Sequence, residues 1–208
     1  MNSTSVVYND IRYESLFGYY HGSACGDIDN EGDIDIILPD ASNRITHTLV
    51  NDGAVNFAII DNLIEDSSAI FTCDLHDINY DGFLDLIWGG GADGKWDGQE
   101  WRTEVIWEKG KGFLRTNPIS ILPNWDLVTF LDYDFYDFNQ DWIDEIVTAI
   151  TTSNYDGWEP KVYKWDENGF VDASSDYFSP GENVGVGEAW IGTVDLERVD
   201  NELFLVTQ

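Results

Sequence analysis

Basic residues are scarce: 10 Lys and Arg stand against 40 Asp and Glu in 208 residues, a formal charge of −30 near pH 7. Binding to nucleic acid needs a basic stripe that neutralises phosphates, so that class is excluded, and an anionic membrane surface is excluded on the same ground. Cysteine is nearly absent. Cys25 and Cys73 are too few for a disulfide framework and form no CxxC pair, which leaves one bridge or two small buried residues as the readings. No apolar run approaches the ~18 residues of a membrane span, and NSTSVVYND after Met1 has neither the basic nor the apolar region of an export leader. The chain as written therefore reads as water-soluble, without membrane insertion. What is plentiful is apolar and aromatic content, 43% and 14%. That is too much for an acidic disordered tail, so a folded domain with a sizeable core is expected, and its excess of carboxylates needs a reason.

Stacking the acidic segments exposes a repeat. GDIDNEGDIDIIL from Gly26, HDINYDGFLDLIW from His76, YDFNQDWIDEIVT from Tyr136 and VDLERVDNELFLV from Val194 align on Asp27, Asp77, Asp137 and Asp195, at separations of 50, 60 and 58. Each reads as strand, acidic turn, strand, because a short apolar run precedes it and an alternating β-branched run follows. Downstream of the first three, THTLVNDGAVNFAII, TEVIWEKGKGFLRT and PKVYKWDENGFVD read as hairpins, with NDG, KGKG and DENG supplying the positive-φ turn positions. One unit is thus four short antiparallel strands, the description of a propeller blade. The last acidic segment is followed only by ELFLVTQ, while SVVYNDIRYESLF at the start resembles the second half of a unit. The expected fold is therefore all-β: a single domain over 1–208, a small four-bladed β-propeller closed by pairing the two chain ends. The expected blades run about 19–60, 69–116, 128–172 and 186–208 with 4–17. The alternatives are an open piece of a larger propeller, or a half that pairs with a second copy.

The acidic turns carry ligand spacing. In the second, Asp77, Asn79 and Asp81 occupy positions 1, 3 and 5, Gly82 follows at 6, the Phe83 carbonyl sits at 7 and Asp85 at 9. Alternating oxygen ligands around a sharp turn suit a hard, six- to eight-coordinate cation. An EF-hand needs a bidentate Glu at position 12, where Leu38, Trp88 and Thr148 stand instead. A solvated Asp/Asn turn is the plainer reading of one such loop, and three copies at matching points weigh against it.

On these motifs, above all DINYDGFLDLIWGG and TLVNDGAVNF, the chain resembles the FG-GAP/VCBS repeat family, the units of integrin-α-type β-propellers. The resemblance implies two to three structural Ca²⁺ ions, with ligands at Asp27, Asp29, Glu31, Asp33 (carbonyl) and Asp35. In the second loop it implies Asp77, Asn79, Asp81, Phe83 (carbonyl) and Asp85. In the third it implies Asp137, Asn139, Asp141, Ile143 (carbonyl) and Glu145, with Trp142 replacing the glycine. The fourth segment has Val199 at position 5 beside Arg198, and no metal is expected there.

The loops at the other ends of the strands are rich in aromatics. Trp96, Trp101, Trp125, Tyr155 and Trp158, with Tyr19, Tyr20, Tyr177 and Phe178 nearby, form a candidate ligand face. Flat rings flanked by carboxylates suit sugar stacking or cation capture. The competing reading has these rings folded down as hydrophobic plugs. Trp88, Trp107, Trp165 and Trp190, within expected strands, read as core. His21, His47 and His76 are far apart in sequence and read as packed or exposed. No nucleophile elbow, phosphate loop or HExxH motif is present, so no enzyme is expected.

The leading expectation is a calcium-stabilised, non-enzymatic recognition module, lectin- or adhesin-like, that binds a glycan. The alternative is an acidic adhesion or inhibitor module selecting a basic protein surface, and the third is an accessory domain of a polysaccharide-active enzyme. An extracellular or cell-surface setting is favoured over a cytoplasmic one. Three Ca²⁺ would bring −30 only to −24, so metal explains the pattern of the acids and not their number.

Overall fold

The computed structural model describes residues 16, 18–54, 56–61, 70–90, 103–108, 119–120, 128–152, 157–178, 193–200 and 202–207. Among them the protein is all-β, with one helical turn, α1 (Ser174–Tyr177). The first sheet is β1 (Ala24–Gly26), β2 (Asp35–Asp40), β3 (Ile45–Asn51) and β4 (Phe57–Asp61). The second is β5 (Ile70–His76), β6 (Asp85–Gly90), β7 (Glu104–Ile106) and β8 (Ile119–Ser120). The third is β9 (Val128–Tyr136), β10 (Glu145–Thr152), β11 (Glu159–Trp165) and β12 (Phe170–Asp172). A two-stranded sheet, β13 (Val194–Val199) and β14 (Glu202–Thr207), follows. Every pairing is antiparallel and joins consecutive strands. Among the described residues no helix is long and apolar enough to cross a membrane.

The second strands explain how the sheets stack. Alternate residues of a strand face opposite sides. In β6, Leu86 and Trp88 therefore join Ala24, Ile37 and Ile70 in one core layer, while Ile87 joins Phe130, Tyr133 and Ile146 in the next. In β10, Ile146 and Ile150 face that second layer, and Val147 and Ala149 face a third with Val162 and Val194. A β-branched run covered on both faces is what such a sandwiched strand requires. The first strands neighbour one another in chain order: β1 against β5, β5 against β9, and β9 against β13.

The residue ending each first strand meets the next sheet, with a different chemistry each time. A Cβ on Gly26 would stand 2.4 Å from Leu84 Cδ1, so the first joint is an apolar close approach. His76 pairs with Asp144 at the second. Tyr136 accepts a hydrogen bond from Arg198, whose guanidinium carbon lies 5.6 Å from its ring centroid, at the third. Two inner-strand acids add to that third joint: Asp132 and Asp134 accept from the backbone N–H of Val194 (3.0 Å) and Leu196 (2.6 Å).

Three details depart from the sequence reading. Asp195 lies inside β13 rather than opening an acidic turn; Val199 pairs with Glu202, so only Asp200 and Asn201 separate the strands, and Asp200 takes φ 50°. A two-residue hairpin leaves no room for a nine-residue loop. In the DENG turn Glu167, at φ 60°, adopts the left-handed conformation rather than Gly169. β8 lies at Ile119–Ser120, beyond the expected blade end at 116. The KGKG turn, Trp190 and residues 4–15 of the expected N-terminal strands lie outside the described residues.

Candidate metal centre

Residues 27–35, 77–85 and 137–145 each join the first and second strands of a sheet, and they share one hydrogen-bond scheme. The position 1 carboxylate accepts two backbone N–H groups across the turn. Asp27 takes those of Glu31 (3.0 Å) and Gly32 (2.9 Å), Asp77 those of Asp81 (3.0 Å) and Gly82 (2.9 Å), and Asp137 those of Asp141 (3.1 Å) and Trp142 (3.2 Å). The position 9 carboxylate reaches back to the N–H of position 2: Asp35 to Ile28 (3.0 Å), Asp85 to Ile78 (3.1 Å) and Glu145 to Phe138 (2.8 Å). Position 4 is left-handed in all three, at Asn30 (φ 59°), Tyr80 (φ 55°) and Gln140 (φ 63°). Position 6 is too, at Gly32 (φ 94°), Gly82 (φ 90°) and Trp142 (φ 69°). The third loop thus keeps the turn that glycine makes in the other two, with tryptophan carrying the unfavourable backbone conformation.

The position 9 acids are buried and bound from two sides. The second oxygen of Asp35 accepts Asn51 N–H (2.8 Å) at the end of β3, and that of Asp85 accepts Glu108 N–H (2.9 Å) just beyond β7. Glu145 is one carbon longer and takes the Asn139 side-chain amide instead. Burial pushes the Asp85 carboxyl up to about 7, against the two hydrogen bonds and with help from Asp81 and Asp77. Burial likewise raises Asp35 and Glu145. Asp33 is raised by burial and then by Asp35, Asp29, Asp27 and Glu31; its Oδ1 is buried without a hydrogen-bond partner, and its Oδ2 lies 3.1 Å from where a Gly53 Cβ would stand. Each first-strand turn therefore joins a buried position 9 carboxylate to more exposed acids at its earlier positions.

In the first loop, carboxylate oxygens of Asp27, Asp29 and Asp35 all lie within 4.8 Å of one another. Two Ca²⁺–oxygen bonds of about 2.4 Å span at most ~4.8 Å, so one ion fits among them. The donors are all oxygens, with no thiolate or imidazole, which suits a hard cation over zinc or copper. Glu31 and Asp81 at position 5 are exposed, and Asp141 is exposed as well. Asn79 Oδ1 points into its own loop, accepting Asp81 N–H (3.0 Å), and Asp81 and Asp141 accept the N–H of Phe83 and Ile143, both at 3.0 Å.

Of the candidate ligand face, Trp96, Trp101, Trp125 and Tyr155 lie outside the described residues. Trp158, Tyr177 and Phe178 pack against the Val147–Ala149–Val162–Val194 layer as half-buried rings. Tyr19 is exposed and meets His21 edge-on at 4.4 Å. Trp88 is buried, and Trp107 and Trp165 pack together in the second layer at 5.5 Å.

Asp144 lies outside the alternating ligand positions. This buried carboxylate lies 2.6 Å from His76 Nε2, accepts the Tyr80 hydroxyl at 2.6 Å, and its N–H donates to the Ile78 carbonyl at 2.8 Å. It stands at position 8, between ligand positions, where its polarity against an otherwise apolar Ile34 and Leu84 was the available signal. No family model matches the chain, and no curated protein matches it.

Proposed function

We propose that the chain is a non-enzymatic recognition module, a four-bladed propeller of the FG-GAP/VCBS type stiffened by two to three Ca²⁺ ions and working outside the cell or on its surface. The observation that carries this is the thrice-repeated loop, in which a position 1 and a position 9 carboxylate fold back on one turn and, in the first copy, three carboxylates come within 4.8 Å. The ions have a structural role: they bring positive charge to Asp33, Asp35, Asp85 and Glu145, whose carboxyls burial first, and neighbouring carboxylates after it, hold above the ordinary range. The succession β1, β5, β9, β13 of neighbouring first strands supports blades around an axis. Among the described residues the last sheet has two strands, which supports its completion by the expected strands of residues 4–17.

Thermal unfolding in Ca²⁺ and in chelator tests the metal. Ligand binding to the folded state raises the melting temperature by mass action. The rise should shrink in Asp27→Ala and again in Asp27→Ala/Asp77→Ala; an unchanged melting temperature in the wild type leaves the loops as turns only.

A glycan on the aromatic loop face is the first ligand class of this reading. A basic protein partner is the second, and the exposed ring pair Tyr80 and Trp142 beside loop carboxylates favours it.

A further inference from the structure

Trp142 is 72% exposed and Tyr80 51% exposed, although both are large aromatics. Both also hold left-handed backbone, at φ 69° and φ 55°. At Trp142's position the two sibling loops use glycine, which tolerates that conformation, so here the fold accepts strain and exposes an indole at the same residue. The rings come from loops of neighbouring sheets and meet edge to face, centroids 6.0 Å apart at 86°. That arrangement leaves ring faces uncovered by the pair itself. Tyr80 is fixed at its far end, its hydroxyl donating 2.6 Å to Asp144, which His76 holds in turn. The two loops that carry the rings also carry carboxylates: Asp144, which takes the hydroxyl, and Asp77, Asp81, Asp137 and Asp141 within the two turns.

We propose that Tyr80 and Trp142 form the docking step of a basic protein partner, receiving Lys and Arg side chains on their ring faces within a rim of carboxylates from the second and third loops. The inference rests on the basic-partner reading above and does not require the ions. A cation gains here from the ring quadrupole and from the acidic field together. A neutral sugar gains only the ring, and a −30 protein attracts cationic surfaces from a distance.

The test is titration of a deca-arginine peptide at 150 mM salt, where long-range attraction is screened, against wild type, Trp142→Gly, Trp142→Leu and Tyr80→Leu. None of these changes the charge, and circular dichroism checks that each is folded. Affinity should fall about fivefold in both Trp142 variants and in Tyr80→Leu, the size of one to two exposed cation–π contacts. Trp158→Ala should bind as wild type. If the wild type binds no peptide, the basic-partner reading fails and the proposal with it. If it binds and the Trp142 variants bind equally, cations are held by charge alone and only this surface assignment falls. Glycan-array binding that Trp142→Gly abolishes would make a sugar the occupant and also overturn it.

Discussion

His76 Nε2 lies 2.6 Å from Asp144 Oδ2, so the residue before the second acidic loop is tied to the eighth residue of the third. The imidazole is also stacked on Phe135, centroids 4.4 Å apart and 3° from parallel, which fixes its plane. Asp144 further holds Tyr80 and Ile78 of the second loop, making it the hub of that sheet-to-sheet joint. Asp144→Asn presents an amide donor to a side-chain pair that needs two acceptors. It should cost about 2 kcal/mol, the range for hydrogen bonds to a charged group, read from the urea midpoint. Because the hub lies between two candidate sites, the same variant should weaken Ca²⁺ at both the second and third loops in calorimetric titration. Weakening at neither would mean that the loops are not coupled through it.

The raised carboxyls give the metal-free protein an unusual pH dependence. Asp85 moves from 3.8 unfolded to about 7 folded, so between those values the folded state keeps a proton that the unfolded chain has released. Stability should therefore fall as pH rises from about 4 to about 7, and Asp35, Asp74, Asp132, Asp134 and Glu145, all raised chiefly by burial, act in the same direction. Asp40 opposes this only at low pH: hydrogen bonds from Ser42, Asn43 and Tyr19 outweigh its burial and hold it at about 2, so its contribution is lost as pH falls below 3.8. Melting in chelator from pH 4 to pH 8 checks the slope. Ca²⁺ competes with these protons, so its stabilising effect should widen over the same range; a flat or rising chelator curve would remove burial as the cause.

Backbone conformation at position 6 makes a paired prediction. Gly82→Ala places a Cβ at φ 90°, with nothing within 4 Å to obstruct it, so the cost is conformational alone, about 1 kcal/mol. Trp142→Gly relieves the same strain at φ 69° but gives up the edge contact with Tyr80 and adds chain entropy to the unfolded state. The two losses and the relief are of similar size, so its urea midpoint should stay within about 0.5 kcal/mol of wild type. A loss as large as that of Gly82→Ala would show that the indole, and not the turn, stabilises the third loop.

The acidic loops were legible because their residues are local. Nine positions with fixed turn chemistry determine their own hydrogen bonds, and Asp27, Asp77 and Asp137 each sit at the start of a loop as the spacing requires. The fourth segment misled because Asp195-Leu-Glu197 imitates the first positions, while the chain turns at Asp200, where an Asx residue adopts φ 50° more easily than its neighbours. The joints between sheets were not legible. Gly26–Leu84, His76–Asp144 and Tyr136–Arg198 link residues 58 to 68 positions apart, and three different chemistries at equivalent places leave no repeating pattern to read.

Trp158 separates the ligand-platform role of a loop aromatic from the hydrophobic-plug role. It stands in the loop before β11, half-buried against Val147, Ala149, Val162 and Val194, in company with Tyr177 and Phe178. A ring packed this way closes the outer face of the third core layer, and removing it exposes apolar surface on β10 and β11. Trp158→Ala should therefore destabilise by about 2 kcal/mol, below the 3–5 kcal/mol of a fully buried tryptophan because part of the ring is already in water. The urea midpoint gives the number, and Trp158→Phe, which keeps most of the packed area, should recover more than half of it. If Trp158→Ala leaves stability unchanged yet abolishes binding on a glycan array, the indole is a ligand platform and its packing is incidental.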